Sequence, residues 1–107
     1  MSYFKQLDDV SSREILPGFH GKLLHGEKVT VVNWEIRAGS ELPHHHHIHE
    51  QVSYVISGEF EMTIGEETRT CRAGDVAVIP SNVPHSGKAL TDCVIFDVFQ
   101  PVREEYK

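Results

Sequence analysis

Apolar residues along this chain fall at every second position or in short blocks, broken by Gly, Pro, Asn and Asp about every ten residues. That is the pattern of an all-β chain. No stretch carries the three-to-four-residue apolar spacing of an amphipathic helix. The pattern predicts strands over 19–25 and 28–37, joined at "HGEK", then near 44–49, over 51–57 and 59–64, near 67–72, through "VAVIP", from His85, and through "DCVIFDVF". "SGE", "IGEE" and "RAGD" supply the turns. In "KVTVVNWEIR", Thr30, Val32, Trp34 and Ile36 share one face, and Asn33, Glu35 and Arg37 the other.

Eight to ten short antiparallel strands in so short a chain must form two packed sheets or a closed barrel, because an open sheet would leave long exposed edges. A jelly-roll barrel, the double-stranded β-helix, satisfies this. In "QVSYVISG" one face carries Val52, Tyr54 and Ile56, and the other Gln51, Ser53 and Val55. If the second lines a polar interior, the first needs a cover from the other sheet, a terminus or a second subunit, and a homodimer is the expectation.

Length and charge narrow the classes. With 107 residues, the chain is expected to form one domain over 1–107. A formal charge of -6, with ten basic residues scattered among sixteen acids, disfavours nucleic acid and anionic membranes. The N-terminus "MSYFKQLDDV" has no apolar segment of signal-peptide length, so a cytoplasmic location is expected. Cys71 and Cys93 lie in or beside strand-like segments without paired metal spacing, and read as reduced packing residues.

Against this background "GSELPHHHHIHEQ" stands out, with five histidines between positions 44 and 49. The run is internal and flows directly into an apolar strand, unlike an affinity tag. On a regular strand His45, His47, His49 and Gln51 share one side, while His44 and His46 point away. Two imidazoles spaced H-x-H can bind one ion, and Gln51 can add an oxygen. A third nitrogen must come from elsewhere, and His85 in "IPSNVPHSG" is the candidate. The roles of His44, His46, His49 and Glu50 stay open; Glu50 could replace Gln51 if a bulge shifted the register.

These segments resemble the two cupin motifs. "GSELPHHHHIHEQVSYVISG" is similar to G-x5-H-x-H-x3-E-x6-G, with Gly39, His45, His47 and Gly58 in place. "GDVAVIPSNVPHSGK" is similar to G-x5-P-x-G-x2-H-x3-N, with Gly74, Pro80 and His85 in place. The resemblance implies a cupin barrel holding one divalent transition metal, Ni, Fe, Mn, Co or Zn, on His45, His47, Gln51 and His85. Two positions depart from the motifs. Gln51 stands for glutamate, and its neutral oxygen leaves the ion its full charge, which favours Lewis-acid work over redox chemistry. Asn82 stands for glycine, a mild change because Asn tolerates left-handed backbone.

A second anomaly is Asp97 in "CVIFDVFQPVREEYK", a carboxylate within an apolar run and on one face with Ile95 and Phe99. Burying it costs several kcal/mol unless it is paired, hydrogen-bonded or protonated. It is either a satisfied structural acid, held by backbone amides or Arg103, or a group tuned for proton transfer.

The ending "FDVFQPVREEY" resembles D-x-F-x-P-x-R-x-[DE]-[FY] of the small pectin-degradation cupins, which linearise 4,5-unsaturated monouronates. By that resemblance Asp97 is the catalytic acid/base and Arg103 holds the carboxylate of a small sugar substrate. The alternatives left open are a metal-dependent cupin dioxygenase or sugar isomerase, and a non-catalytic cupin that binds a small molecule.

Overall fold

The computed structural model describes residues 2–107, so the first residue of the expected 1–107 unit lies outside the described residues. Ten strands follow in order: β1 (Ser12–Leu16), β2 (Phe19–His25), β3 (Thr30–Ile36), β4 (Glu41–His45), β5 (Glu50–Ser57), β6 (Phe60–Ile64), β7 (Glu67–Cys71), β8 (Val76–Ile79), β9 (His85–Ala89) and β10 (Cys93–Gln100). The only helical elements among the described residues are two three-residue 3-10 turns, Leu7–Asp9 and Glu104–Tyr106.

The strands form a six-stranded sheet in the order β1-β2-β3-β10-β5-β8 and a four-stranded sheet in the order β4-β9-β6-β7, every pairing antiparallel. This is the expected jelly roll. Alternation decides what lies inside. Thr30, Val32, Trp34 and Ile36 of β3 are buried, as are Ile95, Asp97 and Phe99 of β10. Phe60 and Met62 of β6 face them from the other sheet in one core. Gly21 makes room for the largest of these side chains: a Cβ there would lie 2.8 Å from the Trp34 ring.

β5 divides as its alternation predicts. Gln51, Ser53 and Val55 are buried, whereas Tyr54 and Ile56 are exposed on the outer face.

Two elements differ from the sequence expectation. β1 was not anticipated, because "SREIL" alternates weakly and its first three residues are exposed. The predicted strand over 44–49 is corrected: β4 ends at His45, and residues 46–49 follow a bent, unpaired path before β5. Pairing of β4 with β9 already shifts register between Leu42 and His45, so the histidine run leaves the sheet as the barrel turns its corner.

Cys71 and Cys93 are buried free thiols, and burial raises the pKa of each. No described helix is long and apolar enough to cross a membrane.

Candidate functional site

Although the histidine run is not a regular strand, three elements bring its key members together. His45 ends β4 directly opposite His85 at the start of β9. His47 sits in the bend that follows, held by the loop before β9: the Asn82 amide donates to the His47 carbonyl at 2.7 Å, and the Ser81 hydroxyl to the Ile48 carbonyl at 2.5 Å. Asn82 makes this contact at φ 63, the left-handed conformation expected of it. His45, His47 and His85 each offer a ligand atom, and these atoms all lie within 4.8 Å of one another.

Backbone contacts fix which nitrogen each ring turns inward. Nδ1 of His45, His47 and His85 lies 2.9 Å from the carbonyl oxygens of Pro43, His49 and Val83 respectively. A carbonyl can only accept, so each Nδ1 carries the proton and each Nε2 presents a lone pair. His85 Nε2 is buried without a partner. Burial, the largest cause, lowers the His85 pKa to about 4, and also lowers that of His47, beside which the Arg103 charge acts in the same direction. Both imidazoles are therefore neutral and metal-competent near pH 7.

Gln51 lies beside these histidines. Its Nε2 donates to Ser53 Oγ and to Asp97 Oδ2, both at 3.0 Å, which turns Oε1 toward His47 Nε2 at 3.2 Å. Two acceptors thus meet with no proton between them, beside the unpartnered His85 Nε2. Such a convergence of lone pairs is repulsive on its own and is satisfied by a cation. The residues present fit one divalent ion held by three nitrogens and one oxygen.

Asp97 lies immediately behind this cluster. Its carboxylate accepts from Trp34 Nε1 at 2.9 Å, from Gln51 Nε2 and from Ser53 Oγ at 2.5 Å. Burial nevertheless dominates and pushes its pKa up to about 6, against the opposing pull of Ser53, Trp34, Arg103 and Gln51. The alternative of backbone amides or an Arg103 ion pair does not describe it, since the partners are three side chains of β3 and β5. Trp34 and Ser53 were missed as site residues from sequence. The available signal was strand alternation, which put both on interior faces, but only the β3-β10-β5 pairing places them around Asp97.

Arg103 is also brought in. Although "REEY" has the composition of a solvated tail, Arg103 is 8% exposed and its guanidinium carbon lies over the Phe99 and Tyr106 rings, 4.9 and 4.3 Å from their centroids. Its backbone amide donates to Thr30 Oγ1 at 2.8 Å, and its NH2 group donates to Glu105 at 3.3 Å. Its Nε is buried and unpartnered. A cavity of about 60 Å³ is lined by His45, Gln51, Ser53, Asp97, Arg103 and Tyr106, with apolar walls from both sheets.

The other members of the run separate cleanly. His44, His46 and Glu50 are exposed, so Glu50 does not take the place of Gln51. His49 is buried beside His47 and Phe99, with Nε2 at 3.3 Å from the Val102 carbonyl and Nδ1 unpartnered.

Comparison with known proteins places this architecture. The Cupin domain family model (Cupin_2) matches residues 32–99, and the chain belongs to that family. It is 37% identical over 65 residues to the pectin degradation protein KdgF of Dickeya dadantii (strain 3937), covering 60% of this chain and 59% of that protein. Over 49 residues it is 45% identical to the H2HPP isomerase of Bacillus subtilis, covering 45% of this chain and 21% of that protein. The matched segments thus span less than two thirds of either curated relative. Among solved structures, KdgF from Halomonas sp. superposes with a TM-score of 0.92 at 27% identity, covering all of both chains. An RmlC-like cupin from Shewanella frigidimarina NCIMB 400 gives 0.93 at 28% identity, covering 100% of this chain and 97% of that one.

Proposed function

We propose that this cupin is a metal-dependent enzyme that opens the ring of 4,5-unsaturated uronate monosaccharides released by pectin or alginate breakdown. The observation that carries the reading is the convergence of three chemical groups on one cavity: His45 with Gln51, a buried Asp97 with its pKa raised to about 6, and the Arg103 guanidinium, while the ligand atoms of His47 and His85 lie within 4.8 Å of that of His45. The similarity to the pectin degradation protein KdgF of Dickeya dadantii supports a substrate drawn from pectin breakdown.

Each residue has a task in this reaction. His45, His47, His85 and Gln51 hold one divalent ion, which when bound supplies Lewis-acid polarisation of substrate oxygens. Nickel, iron, manganese, cobalt and zinc all suit this donor set. Arg103, with its guanidinium carbon over the Phe99 and Tyr106 rings, binds the sugar carboxylate through its forked donors. Asp97 moves the proton. The change is an isomerisation: the anomeric hydroxyl loses its proton and C1 becomes a carbonyl as its bond to the ring oxygen breaks. The electron pair passes through that oxygen and the C4–C5 double bond, and a proton is added at C4. No electron acceptor is required. A carboxyl whose pKa lies near 6 can both take and return that proton close to neutral pH.

The local identity to H2HPP isomerase favours one second reading, an isomerase acting on another small molecule, for which Asp97 and Arg103 in the same cavity would serve as proton carrier and anion-binding group. Turnover of an unsaturated galacturonate monomer in D2O separates the two. Ring opening places deuterium at C4 of a linear product, detected by NMR; an unchanged substrate spectrum after loading with each divalent metal would reject it.

The protein acts as a homodimer in this proposal. On the outer face of β5, β8 and β10, Val52, Tyr54, Val76, Val78, Phe96 and Val98 are contiguous through strand pairing. Val76 and Val78 are each 58% exposed. No charge interrupts them, although the chain carries -6. A charge-free face can meet its own copy without like-charge repulsion, and contiguous exposed apolar residues are what such an interface buries.

A further inference from the structure

We propose that Ser53 is a positioning residue that fixes which end of the Gln51 amide faces the metal. The inference rests on the reading of His45, His47, His85 and Gln51 as the metal-holding set. An amide side chain has two nearly isosteric orientations, one presenting oxygen and the other NH2. Only the first can hold a cation.

The choice between them is made behind the cluster. Ser53 is 2% exposed, and its single hydroxyl proton goes to Asp97 Oδ1. Its lone pairs are then all that it can offer to Gln51, 3.0 Å away. Asp97 Oδ2 is likewise a pure acceptor, already receiving Trp34 Nε1 and lying 3.0 Å from the same amide nitrogen. Both protons of the Gln51 NH2 group are therefore bound by acceptors. Reversing the amide would set its oxygen against two oxygens with no proton between them, and would aim NH2 at the histidine nitrogens.

Removing the serine oxygen halves this discrimination. In Ser53→Ala one of the two acceptors disappears, and Asp97 loses the donor at Oδ1. A water entering the vacated volume can donate as readily as accept, so it no longer opposes the reversed amide. Ser53→Thr keeps the hydroxyl, its extra methyl has the adjoining cavity to enter, and β-branching suits the strand.

The test uses Co2+ alone, with its visible ligand-field spectrum and its affinity measured by chelator competition. Wild type, Ser53→Ala, Ser53→Thr, Gln51→Ala and His85→Ala are compared, with near-ultraviolet circular dichroism confirming the fold of each. Expected is weakening of Co2+ binding by about tenfold in Ser53→Ala, a spectrum displaced toward that of Gln51→Ala, and recovery of both in Ser53→Thr. If Ser53→Ala does not fold, Ser53→Cys replaces it with the same expectation, because a thiol is a poor acceptor. A folded Ser53→Ala or Ser53→Cys with wild-type spectrum and affinity overturns the proposal. Failure of wild type to bind Co2+, or undiminished binding in His85→Ala, instead overturns the metal-site reading beneath it.

Discussion

The Gln51 amide nitrogen donates a 3.0 Å hydrogen bond to Asp97 Oδ2, so a candidate metal-holding residue and a buried acid share one proton-ordered contact. β5 and β10 are neighbours, and Gln51 and Asp97 both point inward by alternation. The consequence is chemical. Asp97 can lie close to a substrate on the ion while remaining outside the set of groups that hold it. Replacing Asp97 by Asn keeps an acceptor for Gln51 but removes the titrating group. Asp97→Asn is expected to lower kcat by about 10²- to 10⁴-fold, with KM and Co2+ affinity altered far less. Steady-state kinetics beside metal titration check this division.

The same buried acid gives stability a defined pH dependence in metal-free protein. Its folded pKa, about 6, lies above the reference value of 3.8, so the folded state binds the proton more tightly. The Asp97 contribution is therefore fully present below the lower value and lost as pH rises through about 6. His85 runs the other way: its pKa is depressed from 6.5 to about 4, so its contribution is present above 6.5 and lost as pH falls through 4. Comparing wild type with Asp97→Asn cancels the histidine part. The stability of wild type relative to Asp97→Asn should fall by roughly 2 kcal/mol between pH 4 and 7, as read by urea unfolding in chelator. A difference that stayed flat across this range would contradict a raised Asp97 pKa.

Arg103 tests the recognition end of the cavity. Lysine keeps the charge but loses the forked guanidinium that contacts the Phe99 and Tyr106 rings. Arg103→Lys is expected to reduce kcat/KM by about 10- to 100-fold, mainly through KM, as expected for loss of a charge-assisted carboxylate contact. An effect confined to kcat would argue that the carboxylate binds elsewhere.

The outer apolar face predicts assembly. Sedimentation equilibrium should give a dimer for wild type and a monomer for Val78→Lys, because a charge would enter the proposed pairing surface. The substituted side chain is solvent-exposed in a single copy, so the variant should keep its fold and its metal-binding spectrum. A wild-type monomer at all concentrations, or a Val78→Lys dimer, would contradict the assignment of this face.

Much of this arrangement is legible in the sequence because β-strand alternation is a strict period. It placed Thr30, Val32, Trp34 and Ile36 on one buried face and put Gln51 and Ser53 opposite Val52 and Tyr54. The cupin motifs pointed to His45, His47 and His85, which the fold brings together. Alternation fails where strands end. The bend at residues 46–49 depends on Ser81 and Asn82 hydrogen-bonding to the histidine segment from over 30 residues away, and no local pattern encodes that contact. For the same reason Trp34 and Ser53 could be assigned inward but not to Asp97, whose surroundings depend on how β3, β10 and β5 align. Arg103 shows the limit of composition: a charged ending can still bury one member when two aromatic rings receive it.

The most direct test follows the ultraviolet absorbance of a 4,5-unsaturated galacturonate monomer after addition of metal-loaded protein, with Asp97→Asn in parallel. Ring opening consumes the conjugated double bond, so the absorbance should decay rapidly with wild type and at close to the uncatalysed rate with Asp97→Asn. Wild-type protein that binds its metal yet leaves the absorbance at the uncatalysed rate would contradict the central claim.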